Sequence, residues 1–103
     1  KNHSFKCILN SMIDANQLII DVREPFEFLE GHVSGAINIP SGNFLDESVV
    51  NELKAKQNTS DIILYCRTGV RAGNCLKILE GHGFSRVSNG INKKNVELMQ
   101  RLA

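Results

Sequence analysis

Short, solid apolar blocks alternate along this chain with stretches whose apolar residues recur at helical spacing, and this alternation most constrains the fold. Residues 18–22, Leu-Ile-Ile-Asp-Val, form a compact β-rich block, and a block apolar on both faces suits a buried parallel strand. Residues 61–65, Asp-Ile-Ile-Leu-Tyr, give the clearest strand, and residues 36–39 and 86–88 give shorter ones. Between them, Phe5, Ile8, Leu9 and Met12 fall at i, i+3, i+4, i+7 behind Ser4 as a cap. Pro25 opens a short helix carrying Phe26 and Leu29 that Gly31 ends. Val49, Val50 and Leu53 mark a helix that Asp46 can cap. Ala72, Cys75, Leu76 and Leu79 mark another that Gly83 stops, and Val96, Met99 and Leu102 a last one. Strands alternating with helices predict an α/β domain around a mainly parallel sheet.

At 103 residues the chain has the length of one domain, spanning residues 1–103, with material for a single core. Twelve Lys and Arg against eleven Asp and Glu leave a net charge of +1, which argues against nucleic acid as the main partner. No apolar run approaches the roughly 18 residues of a membrane span, so no membrane partner is expected. Three cysteines are too few and too irregular for a disulfide framework. Histidines 3, 32 and 82 have no metal-ligand spacing, and with Cys66 and Cys75 they make no zinc pattern. Neither a metal nor an organic cofactor is expected. A reactive free thiol fits the cytoplasm; the first residue, Lys1, equally fits a cleaved export signal or a piece of a longer protein.

Ligands bind outside the carboxyl ends of strands in open parallel sheets. There, between the strongest strand block and an amphipathic helix, lies Cys66-Arg67-Thr68-Gly69-Val70-Arg71. A tight turn entering a helix N-terminus points several backbone N–H groups into one cradle, favouring an anion. A free Cys is only about 3% thiolate at neutral pH, and lowering its pKa by about two units takes roughly 2.7 kcal/mol. A helix terminus gives up to ~2 kcal/mol, so the N–H groups and a guanidinium of Arg67 or Arg71 are expected to supply the rest. Arg71 is expected to face the cradle, whereas Arg67 serves equally well as a solvated charge. Cys75 lies on the apolar face of its helix; nine helical residues rise roughly 13 Å, too far for a disulfide to Cys66. Cys7 has no activating neighbour in the sequence.

This loop, read with Asp21-Val22-Arg23-Glu24-Pro25-Phe26-Glu27 and Gly31-His32-Val33-Ser34-Gly35-Ala36, resembles the rhodanese-like sulfurtransferase family from about Leu18 to Ile91. The resemblance implies a three-layer α/β fold with a five-stranded, mainly parallel sheet flanked by helices on both faces. It implies a catalytic Cys66 alternating between thiolate and persulfide, with residues 67–71 as the substrate-binding loop. A small anionic sulfur donor, thiosulfate or a polysulfide, supplies sulfur, and cyanide, a small thiol or a protein thiol accepts it. Asp21 and Arg23 look like scaffold through hydrogen bonds and ion pairs, and His32 like a backbone-bonding support. Glu27 either pairs with Arg23 or lies on an exposed helix face. One alternative is a sulfur- or redox-sensing module without turnover inside a larger protein. Another is a rhodanese-fold phosphatase or arsenate reductase, but phosphatase loops place the arginine one residue further on, where this chain has Ala72. The family continues after the Val-x-Asn of Val87-Ser88-Asn89 with Leu-x-Gly-Gly and a Trp; here Gly90-Ile91 follows directly and Trp is absent.

Overall fold

A computed structural model describes residues 17–57 and 60–102. The expected helix over Phe5 to Met12, and Cys7 with it, lies outside the described residues. The remaining elements follow in order: β1 (Gln17–Asp21), α1 (Pro25–Glu30), β2 (Ile37–Asn38), a 3-10 turn (Ser41–Leu45), α2 (Glu47–Gln57), β3 (Asp61–Cys66), α3 (Val70–Gly81), β4 (Val87–Asn92) and α4 (Lys93–Leu102). The strands lie in the order β2-β1-β3-β4, and every pair is parallel. The described residues thus hold four strands, not five. The sequence has four strand-forming blocks there, and the fifth strand was implied by resemblance alone.

Alternation along the strands sorts the core into two layers. Ile20 and Val22 of β1 and its extension, with Ile62, Leu64 and Cys66 of β3, pack beneath Val50 and Leu53 of α2 and Ala72, Cys75 and Leu79 of α3. Ile19, Ile63 and Tyr65 face the other way, onto Val33, Ala36 and Val96, with Phe28 and Met99 at the margin. Asp46 begins α2 by accepting the backbone N–H of Ser48 at 2.9 Å. Phe84 closes α3 by returning its N–H to the Leu79 carbonyl at 3.1 Å, with Gly83 in the left-handed region at φ 91°.

Connections from β1 run outward to β2 and those from β3 outward to β4, so the strand order reverses between β1 and β3. Helices following those two strands therefore lie on opposite faces, and the segments leaving β1 and β3 meet at one crevice. A buried polar cluster pins the crevice from below. Asp21 is fully buried and takes Arg23 Nη2 at 2.6 Å, Arg23 Nε at 2.8 Å and the Tyr65 hydroxyl at 3.0 Å. The same hydroxyl accepts the Val33 N–H at 3.0 Å, and burial holds the Tyr65 phenol up at about 12. Removing the hydroxyl strands a buried amide and takes one donor from a buried carboxylate. Tyr65→Phe should lower unfolding free energy by about 1–3 kcal/mol in urea titrations, with an unchanged denaturant slope.

Candidate active site

Cys66 is the last residue of β3, at the crevice, with its side chain in the layer beneath α3. The chain must then turn sharply into α3, and Gly69 makes the turn in the left-handed region at φ 95°. A Cβ there would press within 3.3 Å of the Ile91 side chain, so glycine serves both conformation and space. The turn folds the backbone over the sulfur. Gly69 N–H donates to Cys66 Sγ at 3.1 Å and Ala72 N–H at 3.4 Å. Burial pushes the thiol pKa up and is the largest single influence. The N–H groups of Ala72, Gly69, Thr68 and Arg71 outweigh it together, and the net pKa lies below the ordinary thiol value.

The arginine side chains take a different part from the one expected. Both turn to Glu27 of α1, which is 5% exposed. Arg71 Nη1 donates to Glu27 Oε1 at 2.8 Å and Nη2 to Oε2 at 3.2 Å, a two-pronged pair, while Arg67 Nε stands 3.3 Å from Oε2. Glu27 Oε1 also takes the Glu24 N–H at 2.9 Å. The Arg71 bonds, helped by that N–H and by Arg67 and opposed by burial, hold the Glu27 carboxyl at about 2. Glu27 therefore pairs with the loop arginines and not with Arg23, which is engaged by Asp21 and by the Gly31 carbonyl at 2.7 Å. Pro25 sets the first turn of α1 and so turns Glu27 inward, against the exposed-face expectation.

The other predicted residues fall around this centre. His32 Nδ1–H donates to the Phe28 carbonyl at 2.8 Å, and its ring stacks on Phe28 at 3.6 Å between centroids; it is exposed. The Thr68 hydroxyl accepts the Val70 N–H at 3.4 Å. The Val70 side chain is 65% exposed at the mouth of the loop. Cys75 is buried in the core, where burial and the neighbouring Cys66 charge raise its thiol to about 11, and both cysteines are free. No helix among the described residues is long and apolar enough to cross a membrane.

A sequence profile described as "Rhodanese-like domain" matches residues 6–93. The chain belongs to that family. A thiosulfate:glutathione sulfurtransferase of Saccharomyces cerevisiae is 30% identical over 73% of this chain and 60% of its own length. A tRNA uridine(34) hydroxylase of Buchnera aphidicola is 33% identical over 82% of this chain but only 27% of its own length. This rhodanese-like domain thus spans little more than half of one curated relative and about a quarter of another. Among solved structures, a human single-domain sulfurtransferase superposes with a TM-score of 0.65 at 21% identity, covering 87% of this chain and 89% of that one. That likeness carries the fold.

Three residues central to this rhodanese-like site stand out only in three dimensions. Glu27 reads in sequence as a partner of Arg23 or an exposed helix residue, and nothing along the chain tells which arginine it faces. Tyr65 reads as one more strand apolar, although a phenol in a buried strand needs a partner for its hydroxyl. Asn89, from β4, donates to the Gly69 carbonyl at 2.9 Å and so braces the turn from the far side. With Glu27 held near 2 in the folded state against the usual 4.5, the stability it confers is present above about pH 4.5 and lost as pH falls toward 2. Glu27→Gln should therefore be less stable than the parent chain at pH 6, and the gap should close as the pH is lowered through that window, read by chemical unfolding at each pH.

Proposed function

We propose that this chain is a sulfurtransferase that carries sulfane sulfur on Cys66, with residues 67–71 as the cradle for a small sulfur donor. The observation that supports this most directly is the convergence of backbone N–H groups on Sγ, two of them at 3.1 and 3.4 Å. They stabilise the thiolate needed to attack and can stabilise the anionic persulfide that replaces it. In the first step the Cys66 thiolate attacks the outer sulfur of thiosulfate. A Cys–S bond forms, the donor S–S bond breaks, and its electron pair leaves with sulfite. In the second, cyanide attacks the terminal sulfur of the persulfide and departs as thiocyanate, returning the thiolate. A thiol acceptor, small or on a protein, does the same and leaves as a hydropersulfide. Charge balances in each step, and no metal, cofactor or external oxidant enters.

The name of the yeast relative, a thiosulfate:glutathione sulfurtransferase, supports this choice of donor and acceptor classes. The loop length supports transfer of sulfur over phosphate, because Arg71 comes one residue too early for a phosphatase cradle and its guanidinium is engaged by Glu27.

Thiosulfate with cyanide should yield thiocyanate, and Cys66→Ser should reduce the rate to background. Intact mass after donor alone should show a gain of about 32 Da in the parent chain and none in the variant. Turnover surviving Cys66→Ser would overturn the proposal. A persulfide that forms but is never taken by cyanide or thiols would favour a sensor, and phosphate release from an aryl phosphate without sulfur transfer a phosphatase.

A further inference from the structure

Ile91 is the one non-glycine residue among those described with a positive φ, at 76°. A β-branched side chain rarely adopts that conformation, and it costs stability that the surroundings must hold in place. The position is set by a bulge. Leu64 of β3 pairs with Asn89 and Tyr65 with Ile91, so Gly90 is the extra residue. A Cβ on Gly90 would lie 2.5 Å from Val96 and 2.9 Å from Ile63, so the bulge cannot shift toward the core. Asn89 then clamps both sides: its Oδ1 accepts the Ile91 N–H at 2.8 Å while its Nδ2 donates to the Gly69 carbonyl at 2.9 Å.

The strain aims a side chain at the active loop. Ile91 Cγ2 and Cγ1 lie 3.3 and 3.6 Å from where a Gly69 Cβ would stand, yet Ile91 is 44% exposed. Its unburied half and the exposed Val70, next to Gly69, make an apolar lip beside the N–H groups that hold Sγ. Packing at Gly90 holds the bulge, but the Ile91 side chain, nearly half exposed, buries too little to account for a branched residue at a strained position. The two loop cations turn to Glu27, whose single charge offsets one of them.

We infer that Ile91 is a specificity-determining residue that selects sulfur donors carrying an apolar group next to the sulfur, such as alkyl or aryl thiosulfonates and organic persulfides, over inorganic thiosulfate. This rests on the transferase reading and narrows its donor class. With benzenethiosulfonate, the Cys66 thiolate takes the outer sulfur, the S–S bond breaks and benzenesulfinate leaves with the pair, so charge again balances.

The test compares benzenesulfonate with sulfate as protectants of Cys66 against alkylation, then benzenethiosulfonate with thiosulfate as donors to cyanide. In the parent chain the aryl member should win both contests. Ile91→Gly and Ile91→Asn, both at ease with positive φ, should cut each preference about tenfold. Ile91→Leu should keep it within about twofold. Ile91→Gly should also unfold no earlier than the parent chain on heating, because relief of the backbone offsets the lost contact. Preferences unchanged in Ile91→Gly and Ile91→Asn, or an earlier unfolding of Ile91→Gly with preference intact, would overturn the inference. Protection is read without turnover, so it answers for the lip even if no thiocyanate forms, a result that would count against the transferase reading instead.

Discussion

The site depends on a contest at one sulfur atom. Cys66 ends a strand inside the core, and burial alone would leave its thiol protonated and inert. A left-handed turn at Gly69 brings the N–H groups of residues 68, 69, 71 and 72 around the sulfur, and their sum exceeds the burial penalty. Much of the surrounding structure serves that turn. Asn89 holds the Gly69 carbonyl, which also receives the Gly73 N–H as α3 begins. The strand reversal between β1 and β3 opens the crevice in which the turn sits.

Charge is organised around this cradle more than within it. Glu27 gathers Arg71 and Arg67 across the crevice, tying α1 to the start of α3. The pairing offsets the cost of burying a carboxylate and fixes two long side chains that would otherwise sweep solvent. Arg71 still lies within electrostatic reach of the Cys66 charge. Burial and the backbone dipoles nevertheless act on Cys66 more strongly than either guanidinium. A thiol tuned in this way is insensitive to the mobility of surface side chains.

The sequence made local order readable because its periods are clean. The solid blocks at 18–22 and 61–65 became β1 and β3, and the spacing of Ala72, Cys75 and Leu79 became the buried face of α3. The place of Cys66 was readable for the same reason: a strand end, a glycine and a helix start leave a cysteine between them little freedom. Contacts between distant segments were not readable. Glu27 meets Arg71 only because crossovers on opposite faces bring α1 and α3 to one crevice, and no local pattern encodes that. The weak strand expected at 86–88 extends through Asn92 because it pairs with β3 around a bulge. The conformation of Ile91 follows from that bulge, not from the preference of isoleucine. Helical spacing likewise puts Leu102 with Val96, but Leu102 ends α4 80% exposed, where the helix has passed the sheet.

The backbone cradle is tested most directly by the titration of Cys66, followed by its ultraviolet thiolate absorbance against pH at low and high salt, with Cys66→Ser as the blank. The expected midpoint lies below the ordinary thiol value and moves little with salt, because fixed backbone dipoles at contact distance are poorly screened. A midpoint at or above the ordinary value would show that burial wins and the cradle does not make a nucleophile. A low midpoint that climbs steeply with salt would return the role to the arginines and contradict the backbone as its source.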